Sequence, residues 1–156
     1  MAQLLQIVPW QHNDLPVTRI WGSSWDVVRE ITSVTIPATI TRIEGNAFRN
    51  TIYLETVVFE PDSQLVSIGP AAFLDSGIKT ILIPSTVTTI WQGAFGGAIN
   101  IESIIIPSSV TSVLASAFYG WTIDQRIYVP FTTQGNRPAG WNVDWSGGDA
   151  LIVFQD

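Results

Sequence analysis

The chain has 156 residues, 46% of them hydrophobic and 13% charged, with a net charge of −6. That balance excludes disorder, which needs low hydrophobicity and high charge. It argues against nucleic acid, because phosphate binding needs clustered cations. Lys79 is the sole lysine, and the six arginines (Arg19, Arg29, Arg42, Arg49, Arg126, Arg137) form no run. Cysteine is absent, so no disulfide or thiolate metal site can form.

Met1 to Gln11 carries no basic region, and its apolar stretch is broken by Gln6 and Pro9. A secretory signal is not expected there. No apolar segment approaches the roughly 20 residues of a membrane helix. Residues 1–30 read as an N-terminal cap containing a degenerate repeat. In it Val17-Thr18-Arg19-Ile20 followed by Trp25 matches Val87-Thr88-Thr89-Ile90 followed by Phe95.

Residues 31–122 are built from a repeat of about 23 residues. Ile31 to Phe48, Ile78 to Phe95 and Ile101 to Phe118 align without adjustment, and Leu54 to Phe73 aligns with two residues extra. Pro37, Pro61, Pro84, Pro107 and Pro130 recur at intervals of 24, 23, 23 and 23; Phe48, Phe73, Phe95 and Phe118 recur at 25, 22 and 23. The first half of each unit, as in Ile101, Ile104 and Ile106, is β-branched and suits a strand. Proline ends that strand because it has no N–H for the ladder. A second short β-rich piece follows, such as Val110-Thr111-Ser112-Val113, and the Ala-Phe pair plugs the interior.

No unit can bury its own apolar side alone, so the units must stack. The expected fold is a mainly β solenoid, a right-handed coil of about five turns. Each turn carries two short parallel strands, and both ends are capped. At ~4.8 Å per turn the stack is ~25 Å long. Residues 123–156 read as a last degenerate repeat and cap, with Ile127-Tyr128-Val129-Pro130 matching Ile104-Ile105-Ile106-Pro107.

The pattern I-x-x-I-x-I-P, V-T-x-I, A-F over residues 17–122 resembles the BspA-type leucine-rich repeat, also found in treponemal surface repeats. The tail, Pro138-Ala139-Gly140-Trp141-Asn142 with Trp145 and Leu151-Ile152-Val153, is similar to the closing segment of many such proteins. The resemblance implies a non-enzymatic interaction module, bacterial surface-exposed or secreted and associated with adhesion. Similar repeats occur in protists and phage. The cysteine common after Ala-Phe is missing from every copy here.

Chemistry has little foothold. His12 is the one histidine, and it reads as an exposed cap residue beside Asn13 and Asp14. The nearest carboxylate pairs are Glu55 with Glu60 and Asp144 with Asp149, for which solvated surface is the default. A calcium site at Asn142-Val143-Asp144 lacks the glycine of an EF-hand loop at the right place. No cofactor, metal or catalytic residue is expected.

Binding is better supported. Alternation along a strand gives two outward columns: Ser33, Thr56, Thr80, Ser103, Arg126, and Thr35, Val58, Leu82, Ile105, Tyr128. The first is an ordinary hydroxyl ladder. The second would be a continuous apolar stripe, and monomers seldom expose large apolar patches without a reason. Val58, Leu82, Ile105 and Tyr128 are therefore candidate contacts for a protein partner or a second copy. Trp21 and Trp91, equivalent positions after the second strand, are candidates for a partner or for stacking on a glycan. Trp141 and Trp145 read as cover for the end of the core. Competing readings are an adhesive module, a structural subunit of a virion or homo-oligomer, and a glycan binder.

Overall fold

The computed structural model describes residues 11–12, 15–16, 18–20 and 31–155. Near the N-terminus β1 (Gln11–His12) pairs antiparallel with β2 (Leu15–Pro16). From there the chain winds as a solenoid whose described turns carry two short strands each.

The longer strands, of three or four residues except in the two-residue β8, are β4 (Ser33–Ile36), β6 (Thr56–Phe59), β8 (Thr80–Ile81), β10 (Ser103–Ile105), β12 (Arg126–Val129) and β14 (Leu151–Phe154). Between them lie two-residue strands, β3 (Arg19–Ile20), β5 (Arg42–Ile43), β7 (Ser67–Ile68), β9 (Thr89–Ile90), β11 (Ser112–Val113) and β13 (Gly140–Trp141). The short strands form one unbroken parallel ladder, in the order β13-β11-β9-β7-β5-β3. The longer strands form two separate parallel sheets, β4-β6-β8 and β10-β12-β14. A single continuous stripe across that face, as the repeat suggests, is therefore interrupted between β8 and β10.

Alternation sets what is inside. Ile101, Ile104 and Ile106 are buried, as are Ile31, Val34 and Ile36 one end of the stack away. The phenylalanines form a pile along the axis. Phe48 and Phe73 have ring centroids 5.1 Å apart, Phe73 and Phe95 5.4 Å, and Phe95 and Phe118 5.5 Å, all within 9° of parallel. Backbone bonds follow the same axis: Phe48, Phe73 and Phe95 N–H donate to the carbonyls of Ala72, Ala94 and Ala117.

The turn holding each phenylalanine has a fixed backbone form. The residue before Ala-Phe has positive φ in all four units: Asn46, Ala71, Gly93 and Ser116. So does the residue two beyond the ring: Asn50, Asp75, Gly97 and Gly120. Left-handed residues at both shoulders turn the chain sharply enough to aim the ring inward.

Tryptophan closes the C-terminal end of the pile. Trp121 meets Phe118 edge-on at 5.1 Å and Trp145 does so at 5.9 Å, while Trp141 packs against Trp145 at 4.9 Å. All three are buried. A buried indole needs a partner for its N–H. Trp121 Nε1 donates to Phe95 O at 2.8 Å, and Trp141 Nε1 to Val110 O at 3.0 Å.

Candidate functional site

The outward columns occur within each sheet, in two segments that no strand pairing joins between β8 and β10. Ser33 pairs with Thr56 and Thr56 with Thr80, while Ser103 pairs with Arg126. In the second column Thr35 pairs with Val58, and Ile105 with Tyr128. Carrying the β6–β8 register one residue on places Leu82 beside Val58. Leu82 is 75% exposed, Ile105 49% and Val58 47%, although each is a large apolar side chain on a sheet surface. Thr35 and Tyr128 are half-buried, so the column is most open in its middle. The pairing of Tyr128 with Val153 extends it by one strand beyond the repeat.

Trp91 follows β9 and is 45% exposed, so it is available to a ligand. Trp21 lies outside the described residues. Sequence reasoning missed a second apolar row on the loops: Ile52, Ile99 and Ile123, with Tyr53 and Tyr119, are all exposed. Its signal was present, since the three isoleucines follow Phe48, Phe95 and Phe118 by four or five residues.

The polar groups here do structural work. Lys79 Nζ reaches Glu55 Oε1 at 2.6 Å between neighbouring strands. Glu60 Oε2 accepts a hydrogen bond from Ala38 N–H at 3.0 Å and ties two corners together. Asn142 Oδ1 accepts from Asp144 N–H at 2.8 Å and closes a local turn. Among the described residues no three His, Asp or Glu side chains gather as metal ligands. Nor is any helix among them long and apolar enough to cross a membrane.

Around Leu82 the surface is concave. A groove of about 1340 Å³ runs over β8, floored by Val57, Phe59, Ile81 and Ile83. Glu60 and Asp62 stand on its rim, and Lys79 and Glu102 also line it.

The family profile of the BspA type leucine rich repeat region matches residues 19–135 in six copies. The chain belongs to this family. No curated protein sequence matches the chain. Among solved structures, the BspA-type chain is similar to the pneumococcal vaccine antigen PcpA, with a TM-score of 0.71 at 20% identity, over 90% of this chain and 36% of that one. It is also similar to a leucine rich cell surface protein from Faecalibacterium prausnitzii A2-165, with a TM-score of 0.63 at 29% identity, over 78% of this chain and 37% of that one. The BspA-type chain thus spans little more than a third of the length of either. The likeness to the first supports the parallel solenoid architecture.

Proposed function

We propose that the chain is a non-enzymatic binding module of the adhesion type, working at a cell surface or secreted, which presents Val58, Leu82, Ile105 and Tyr128 to a protein partner. The observation that carries this reading is the exposure of Val58, Leu82 and Ile105 at one equivalent position of three successive turns. Burying such a column would contribute about 25 cal/mol per Å² of apolar area removed from water. The solved relative named as a cell surface protein supports the location. Trp91 is a further contact at the edge of the module, for a protein or for a sugar ring.

One observation favours a second reading, association with another copy of the chain in a structural assembly. Among the described residues no strand pairs with the outer edge of β14, and Leu151 and Phe154 on it are exposed. An apolar edge strand is a template for pairing.

Light scattering after size exclusion, on the parent and on Ile105→Lys, separates the two. An oligomeric parent and a folded monomeric variant would place a second copy on the column, and an oligomer that Ile105→Lys leaves intact would place it on the β14 edge. A monomeric parent that binds immobilised extracellular-matrix proteins, with binding lost in Ile105→Lys, is the outcome expected of the first reading. Equal matrix binding by parent and variant would remove the column from the function.

A further inference from the structure

The groove over β8 coincides with two departures from the repeat. Phe59 and Pro61 are separated by Glu60, where Ile36-Pro37, Ile83-Pro84 and Ile106-Pro107 adjoin. Four residues separate Phe73 from Ile78, where five separate Phe48 from Leu54 and Phe95 from Ile101. With a second extra residue between Pro61 and Leu65, the corner after β6 is lengthened while the strand itself keeps the four residues of β4. The short loop draws the start of the β8 turn onto its predecessor: Gly77 N–H donates to Thr51 O, and a Cβ on Gly77 would lie 2.0 Å from Ile52 O.

The other flank is left open. Thr56 N–H bonds to Thr32 O, Thr80 N–H to Glu55 O and Arg126 N–H to Glu102 O, each joining one turn to the last. Among the described residues no such bond joins the β8 strand segment (79–84) to the β10 segment (102–106). Backbone donors and acceptors on these facing edges are therefore free to pair with another chain.

The charge of the rim decides what kind of chain. Glu60, Asp62 and Glu102 contribute carboxylates to the groove, and its one lysine, Lys79, is already paired with Glu55. Asp62 and Glu102 are exposed. Along the middle run the apolar Val58 and Leu82.

We propose that the groove takes an extended basic polypeptide segment, its backbone against the free edge of β8, its inward side chains apolar on Ile81 and Ile83, and its outward cationic side chains laying their stems on Leu82 with their charges towards Asp62 and Glu102. This rests on the docking column proposed above and names the chemistry of the partner. Alternation in an extended chain supplies both faces at once, and opposite charge favours capture and correct register.

The test is fluorescence anisotropy at low salt with two labelled octapeptides, one alternating lysine and valine, the other alternating glutamate and valine. The proteins are the full parent chain, the double variant Asp62→Asn with Glu102→Gln, and Leu82→Ser, each checked for an unchanged melting temperature. The expected result is binding of the basic peptide alone, weakened about fivefold in the double variant and about tenfold in Leu82→Ser. Equal binding of both peptides, weakened only by Leu82→Ser, overturns the charge assignment and leaves the apolar column standing. Loss in the double variant with no effect of Leu82→Ser removes the column from the groove instead. Absence of binding by either peptide overturns the inference.

Discussion

The ring of Phe95 lies 5.4 Å from that of Phe73 with the planes 9° apart, and Phe118 repeats the arrangement on its other side. Removing the middle ring opens a void between two turns that the surrounding coils cannot close. Phe95→Ala should destabilise by about 3–5 kcal/mol, read by urea denaturation with an unchanged m value. A cost below about 1 kcal/mol would show that the pile is not what joins the turns.

Trp121 fills the same end of the core and donates its indole N–H to Phe95 O at 2.8 Å. Trp121→Phe keeps most of the apolar volume but leaves that carbonyl only the longer bond from Ala98 N–H at 3.2 Å. The expected loss is about 0.5–1.5 kcal/mol, measured by thermal unfolding. A variant as stable as the parent would mean that water replaces the indole.

Gly77 approaches Ile52 O so closely that a Cβ would sit 2.0 Å from it, and the contact atom is backbone. Gly77→Ala should cost about 1–3 kcal/mol or shift the loop. Amide exchange at Thr51 to Ile78 would show which. No change in stability or exchange would remove the tight loop as the origin of the groove.

Ala71 holds a φ of 52°, where Asn46, Gly93 and Ser116 stand in the other units. A Cβ in this region costs about 1–2 kcal/mol, against about 0.4–1 kcal/mol of unfolded-state entropy for glycine. Ala71→Gly should therefore stabilise by about 0.5 kcal/mol, seen as a rise in the denaturation midpoint. A fall would mean that packing of the Ala71 methyl outweighs backbone strain.

The inward columns were legible because β-branched residues alternate with polar ones and the alternation keeps phase through five prolines. Ile104 and Ile105 are neighbours in sequence, yet one is buried and the other half exposed, as period two requires. The candidate contacts Val58, Leu82 and Ile105 were legible for the same reason. The gap between β8 and β10 was not. It coincides with two extra residues between Phe59 and Leu65 and one fewer in the loop before Ile78, which in the sequence are only a change of spacing. Strand β14 was seen as part of a tail, because its pairing with β12 bridges 25 residues (Arg126 to Leu151) that contain no clear repeat. Trp91 on the surface and Trp141 in the core are the same residue type, and only the turn each occupies tells them apart.

Hydrogen bonds between turns lie along the solenoid axis, so a pull on the two ends loads each junction in series. Of the four junctions between described turns that carry both strands, three are held by both strand ladders. The junction between the β8 turn and the β10 turn has the β9–β11 ladder, the Phe95–Phe118 contact and the Ala-Phe turns, but no bond between its longer strands. Under tension the interior of the stack would part there first, which makes the open flank of the groove also its mechanical fuse. A segment lying across that junction and bonded to both edges would raise the force needed to open it, a change that single-molecule stretching can read directly.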